Sequence, residues 1–559
     1  MTISDHTADN LVFLPLGGSG EIGMNFNLLG LDGKWIAVDC GISFGDDRMP
    51  GIDVVMADPT LIAEERENLL GIVLTHAHED HVGAIPYLWP RLRCPIYATP
   101  FTAAFLRLKL QETDFADQVK IVEIELGGRR TLGPFDIEFV TVTHSIPEPN
   151  ALAIRTRLGT VVHSGDWKLD PQPLIGETSD EAKLRRLGDE GVDVLICDST
   201  NAMEDGHSRS EGEVRDGLTA LFKRRKSGRI AITCFSSNVA RINAIAHAAH
   251  AAGRNCALVG RSLWRIHAAA SSTGYIDTPE PLITEHDAGY LPEDKVVLIV
   301  AGSQGEPRSA LTRIAHDDHP EVSLGPGDAV VYSARDIPGN EKAILRVQNA
   351  LAARGVEVIT ADDVPADQPI HASGHPKRDE LLQMYQWLRP KAAVPTHGEM
   401  RHMKAHEALA RSAQVKATLI PEDGALIRLL PGPLEVLERF EVDRIAFDGG
   451  RLLRLHGGAM QTRARLSFAG AATVALALNG KGHVVGEPSV TLLGIENDEE
   501  AAALEEDLAE YALDAVEALS ARDRRDDEMV REEVRVGVRR ALRKLTGKKP
   551  ITTVHLIRV

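Results

Sequence analysis

The sequence predicts an α/β protein of several domains. Three observations carry this: short apolar runs alternate with helix-like periods, His and Asp recur at the ends of those runs, and the 559 residues exceed what one hydrophobic core normally holds. The elements follow in chain order. Residues 1–10 read as disordered or loosely attached. Gly71-Ile72-Val73-Leu74-Thr75 is a short buried strand and runs into His76-Ala77-His78-Glu79-Asp80-His81. Ile137 to Thr143 alternates as a strand and delivers His144, and Thr160 to Ser164 leads to Gly165-Asp166. Val192 to Cys197 ends at Asp198, and Ala392 to Thr396 leads to His397.

Between about 210 and 370 the pattern is βα-like. Val214 to Lys226 reads as a helix, Arg229 to Thr233 as a strand, Asn243 to Ala252 as an Ala-rich helix, Val296 to Val300 as a strand and Glu341 to Arg354 as a helix. A separate small domain is expected from about 451. Its strands are placed at Ala464 to Phe468, Thr473 to Leu478 and Ile551 to Ile557, its amphipathic helices at Asp498 to Ser520 and Asp526 to Leu545. No internal repeat is apparent.

The run from His76 to His81 sets three imidazoles and the Asp80 carboxylate within six residues at a strand end. Neutral imidazole and carboxylate are the ligands that borderline divalent metals such as zinc prefer. Loop spacing lets His76 and His78 face one metal while Asp80 and His81 turn toward a second. The bland alternative is a His-rich surface loop, which the position straight after an apolar strand disfavours. His144 alone would fit a structural histidine, and Asp198 before Ser199-Thr200 would fit a cap or Asx turn. Recurrence at strand end after strand end is harder to dismiss, because strand ends on one sheet edge converge on a common site.

The six-residue cluster resembles the signature of the metallo-β-lactamase superfamily. Further segments resemble the ribonuclease J family in the β-CASP branch: Leu14 to Asn25 (Leu-Pro-Leu-Gly-Gly-Ser-Gly-Glu-Ile-Gly-Met-Asn), Ala301 to Pro307, Ile337 to Glu341, His371-Ala372-Ser373-Gly374-His375, and Pro395-Thr396-His397-Gly398-Glu399. They occur in order from about residue 11 to 400. The resemblance implies an αββα metallo-β-lactamase sandwich in two parts, 1–205 and 371–450, with a β-CASP α/β domain inserted at 206–370 and a small α/β C-terminal domain at 451–559. It also implies roles. His76, His78 and His144 would hold one metal; Asp80, His81 and His397 the other; Asp166 would bridge. Two metals about 3.5–4 Å apart lower the pKa of a shared water and clamp a phosphodiester for in-line attack. Zinc is the first choice, with manganese and magnesium as alternatives.

Asp198 would accept a hydrogen bond from a ligand histidine or the water. His375 would contact the scissile phosphate or protonate the leaving oxygen, beside His371 and Ser373. Ser236, Ser237, Asn238, Arg261 and Ser262 follow strands and suit a phosphate pocket, which by resemblance would grip a 5′-monophosphate end; ordinary turn chemistry is the alternative there. Within the branch, His397 at the last ligand position favours RNA over DNA.

Composition bounds the function. The formal net charge is −19, which disfavours a generally nucleic-acid-coating surface. Acidic residues crowd the run Glu496 to Glu500, whereas basic residues cluster at Lys223 to Lys226 and from Arg535 to Lys549, so RNA would sit in a local groove. Each basic run also reads as a solvated helix face. No run of 18 apolar residues and no signal-like N-terminus is seen, so neither a membrane nor export is expected. Five scattered cysteines without C-x-x-C fit reduced thiols in a cytoplasmic protein.

The expectation is a metal-dependent ribonuclease of RNA processing and mRNA or rRNA turnover. It would act as a 5′-to-3′ exonuclease preferring 5′-monophosphate single-stranded RNA, with an endonucleolytic mode also open. It would form a homodimer or homotetramer, with an RNA-degradation complex as a further partner. A noncatalytic RNA-binding scaffold and a metallohydrolase of a small ester are the competing classes.

Overall fold

The computed structural model describes residues 2–46 and 48–559; Met1 and Asp47, and the side chains of Asp498 and Glu499 in the acidic run, lie outside the described residues. One compact unit takes the chain up to Phe44 and from Val54 to Val442; the other joins Gly45–Asp53 to Asp443–Val559.

The first unit holds the αββα sandwich. An eight-stranded sheet runs, edge to edge, through Glu435–Arg439, Ala425–Leu430, Leu11–Gly17, Phe26–Leu31, Lys34–Val38, Leu69–Val73, Ile96–Ala98 and Ile121–Glu123. A seven-stranded sheet runs through Arg129–Leu132, Phe135–Thr141, Asn150–Thr156, Gly159–His163, Val194–Asp198, Ala392–Thr396 and Ala417–Thr418. Their inner faces share one core, in which Phe13, Leu29 and Ile36 of the first sheet meet Phe139, Leu152 and Ile196 of the second. The outer face of the second sheet is covered by Leu184, Trp387, Leu388 and Leu409, all from flanking helices.

The chain leaves this second sheet after Asp198 and re-enters beside it. Ala392–Thr396 pairs in parallel with Val194–Asp198, with Thr396 opposite Asp198, so His397 emerges next to Asp198 although the whole inserted segment separates them. Between exit and return lies a six-stranded, all-parallel sheet in the order Ile283–Thr284, Asn255–Val259, Val296–Val300, Ile230–Thr233, Ala329–Tyr332, Glu357–Ile359. Val296–Val300 is apolar and buried throughout, as strands covered on both faces are. Leu311, Ile314, Ile344, Val347 and Leu351 cover one face from helices. Ser210 opens the helix Glu211–Arg224 with a reciprocal capping box to Glu213.

The second unit holds a three-stranded sheet, Ser489–Leu493, Ala471–Leu478 and Ile551–Arg558, under the helices Asp498–Glu517 and Asp527–Thr546. Val474, Leu476, Leu508, Val516, Val534 and Val538 form its core. The strand expected at Ala464 to Phe468 is instead part of the helix Gly458–Ala469. Leu466 and Phe468 are both exposed, so the alternation there has no buried face behind it. A five-residue alternation of this kind does not separate strand from helix.

The N-terminus also differs from expectation. Ile3 and Thr7 are buried, and the Trp35 indole donates to Ser4 Oγ at 2.9 Å, which ties residues 3–7 to the sandwich. The five cysteines are all buried and free. Among the described residues no helix is long and apolar enough to cross a membrane.

Candidate metal centre

The turn from His76 to His81 is fixed from behind by Asp39. This buried carboxylate follows the strand Lys34–Val38 and accepts from the Thr75 amide and hydroxyl, each at 2.8 Å, and from His81 Nδ1 at 2.8 Å. His78 is the N-cap position of the short helix Glu79–Val82, which carries Asp80 and His81 around the turn. His144 follows Phe135–Thr141, Asp166 follows Gly159–His163, and His397 follows Ala392–Thr396. All these strand ends lie on one edge of the sandwich.

Two groups of ligand atoms result. His76, His78 and His144 form one, Asp80, His81, Asp166 and His397 the other, the atoms of each lying within 4.8 Å of one another. Asp166 Oδ2 is 3.1 Å from His81 Nε2 and 4.0 Å from His76 Nε2, so this carboxylate stands between the groups. His144 Nε2 is 3.0 Å from His78 Nδ1, and His144 Nδ1 donates to the Gly374 carbonyl at 2.6 Å. That bond directs Nε2 toward the cluster.

The electrostatics fit a cation. Burial, then the neighbouring imidazoles, hold His76 and His144 well below the usual histidine range, and burial lowers His78 to about 4. All three are therefore neutral and able to donate a lone pair. Burial also opposes charge on His81, but Asp166, Asp80 and Asp39 outweigh it and raise its pKa. The carboxylates that attract a proton there would equally attract a divalent ion. Among the described residues, His76 Nε2 and His397 Nε2 are buried without a hydrogen-bond partner, an arrangement that is costly unless a ligand is taken. The residues thus fit a metal centre, and metal bound here would supply Lewis acidity and a lowered water pKa.

His375 sits at the edge of this cluster, and with His144 and Asp166 it completes a third close group. Its Nδ1 bonds Asp198 Oδ2 at 2.8 Å, while Asp198 Oδ1 accepts from the Thr200 amide and hydroxyl. Burial disfavours charge on His375, but Asp198 overrides it and lifts the pKa to about 9. Asp198 therefore holds a histidine outside the expected ligand set, while also making the Asx-type turn its neighbours suggested. A protonated imidazole beside the cluster is suited to binding phosphate oxygen or giving up a proton.

The expected phosphate residues divide. Ser373 Oγ accepts from Asn201 Nδ2 at 2.8 Å, close to His375, and His371 Nδ1 lies 3.3 Å from Arg241 Nη1. Ser236 and Ser262 meet through a 2.9 Å hydroxyl contact, and Arg261 is exposed beside Ser262 at the start of the helix Arg261–Ser272. Ser237 is half-buried in the same turn. Asn238 is buried and its Oδ1 caps the helix Val239–Ala251 by accepting from the Arg241 amide at 2.8 Å, so turn chemistry occupies it.

Asp39 and Gly374 were not singled out by the sequence. Asp39 obeys the same strand-end rule as the candidate ligands, and that signal was present. Gly374 lies in the segment His371 to His375, but its contact with His144 had no local signal, because the two are 230 positions apart.

Comparison with known proteins follows the same segments. The Beta-lactamase superfamily domain matches residues 34–223, the Ribonuclease J beta-CASP domain 227–351, the Zn-dependent metallo-hydrolase RNA specificity domain 365–421 and the Ribonuclease J C-terminal domain 458–559. A ribonuclease J of Sinorhizobium meliloti is 44% identical over 99% of this chain and 98% of its own. One of Thermus thermophilus is 34% identical over 97% of this chain and 94% of its own. A solved structure of a protein of unknown function from Enterococcus faecalis V583 has a TM-score of 0.51 at 16% identity, covering 75% of this chain and 100% of that one, a likeness of fold alone.

Proposed function

This chain belongs to the ribonuclease J family, and from that premise we propose that it is a two-metal 5′-to-3′ exoribonuclease preferring single-stranded RNA with a 5′-monophosphate. Metal-dependent RNA hydrolysis is the activity its family membership carries. The observation that supports two ions is the pair of ligand groups flanking Asp166, one of three imidazoles and one of mixed His and Asp. Zinc suits such a donor set, with manganese or magnesium as substitutes.

In this reading Asp80, Asp166 and the imidazoles would hold the ions, and His375, kept protonated by Asp198, binds the scissile phosphate or protonates the leaving oxygen. The products carry 5′-phosphate and 3′-hydroxyl ends. Ser236, Ser237, Arg261, Ser262, His371 and Ser373 surround the 5′ end. Internal cleavage is a second mode, and the setting is RNA processing and decay in the cytoplasm, as a homodimer or homotetramer.

The test uses RNA labelled at a 5′-monophosphate, a triphosphate-ended control, and the wild type beside Asp80→Ala. Release of labelled mononucleotide by the wild type alone, faster from the monophosphate, is expected. Labelled oligonucleotides as the first products would overturn the exonuclease assignment. Equal activity of Asp80→Ala would overturn the metal mechanism.

A further inference from the structure

The opening segment Gly17 to Asn25 was marked by its sequence but has no part in the chemistry described above. We propose that Asn25 is a positioning residue for the metal ligand His397, joining the last ligand of the chain to the first ligand turn. The proposal rests on the reading of this cluster as a metal centre.

The side-chain amide of Asn25 faces both partners. Nδ2 lies 3.1 Å from the Asp80 carbonyl, and Oδ1 lies 3.0 Å from His397 Nδ1. A carbonyl oxygen only accepts, so Nδ2 must face Asp80 and Oδ1 must face His397. His397 Nδ1, which Asp166 Oδ1 also faces at 3.3 Å, therefore carries the proton toward these two acceptors, and the lone pair is left on Nε2, the buried atom without a hydrogen-bond partner. Choosing the tautomer of a ligand histidine through its other nitrogen is what supporting groups around metals do. Nδ2 also lies 3.1 Å from His81 Nε2, so one amide touches both the first ligand turn and the last candidate ligand.

The backbone supports the same joint. The Asn25 amide donates to the Asp80 carbonyl at 2.9 Å, and the His397 amide donates to the Gly18 carbonyl at 2.8 Å. Ser19–Gly20 pairs in parallel with Gly398–Glu399. His397 itself has φ +50°, a left-handed conformation that costs about 1–3 kcal/mol and needs such fixing. Gly18 has φ +91°, and a Cβ there would stand 2.6 Å from Asn25 Oδ1, so glycine is what lets the two segments approach.

The experiment is competitive chelator titration of purified full-length protein loaded with Zn²⁺, alongside circular dichroism and thermal denaturation. Asn25→Leu removes the nearer of the two acceptors at similar volume and leaves Asp166 Oδ1. It is expected to weaken one bound equivalent about 10–100-fold and leave the other unchanged. In a His397→Ala background Asn25→Leu should add nothing, because its effect passes through that ligand. Gly18→Ala, which displaces Oδ1 by contact, should reproduce the selective loss if Asn25→Leu does not fold. Wild-type affinity for both equivalents in folded Asn25→Leu, or additive losses in the double variant, would overturn the proposal. Wild-type protein that binds no Zn²⁺ would overturn the metal reading itself, and the proposal with it.

Discussion

Glu211→Gln should destabilise the catalytic unit by about 3 kcal/mol, because Glu211 is a fully buried charge held by two cations. Arg241 Nε and Nη2 donate to its two oxygens at 3.0 and 2.9 Å, and Lys168 Nζ lies 3.9 Å away beside Asp170. Burial pushes the carboxyl upward, but Arg241 and then Lys168 outweigh it and hold the pKa at about 2, against an ordinary value of 4.5. That depression is worth about 3 kcal/mol at neutral pH. The cost of breaking one side of a buried pair, about 3–5 kcal/mol, agrees.

The sign follows from the depressed pKa. The contribution is complete above about pH 4.5 and is lost as the pH falls toward about 2. Thermal denaturation across that window should show a shallower pH slope for Glu211→Gln than for the wild type. A double-mutant cycle with Arg241→Met should give a coupling of at least about 2 kcal/mol at neutral pH, well outside the scatter of independent sites. Additive losses, or an unchanged pH slope, would refute the argument that the buried charge of Glu211 is held by Arg241.

Three further outcomes are expected. Asp39→Asn should lower Zn²⁺ affinity about 10–100-fold in chelator competition, since its amide cannot satisfy both Thr75 and His81 as the carboxylate does; unchanged affinity would remove Asp39 from the centre. Asp198→Asn removes the charge that raises His375, so the alkaline limb of the kcat/KM profile should move to lower pH; a limb that stays in place would assign it to another group. Gly374→Ala would place a Cβ 2.5 Å from the His144 ring and should release metal, whereas Ser373→Ala should retain it; equal metal content in both variants would show that the ring tolerates the methyl group.

Much of the site was legible because its residues obey local rules. A buried strand that stops at His76, His144, Asp166 or His397 marks the sheet edge whatever else the chain does, and apolar runs such as Val296–Val300 declare a sheet covered on both faces. Local pattern failed where no burial lay behind it, as at Ala464 to Phe468. It also missed the anchoring of residues 3–7, which depends on Trp35 and Glu65.

The sequence by itself determined the candidate ligand types, their strand-end positions and the βα-like pattern between about 210 and 370. Only the tertiary structure decided which partner holds Nδ1 of four of these histidines. Those choices are made by Asp39 for His81, Gly374 for His144, Asn25 for His397 and Asp198 for His375, over separations of 42, 230, 372 and 177 positions. A hydrogen bond is satisfied across space rather than along the chain, so its partner is fixed only once the two sheets have closed on their common core.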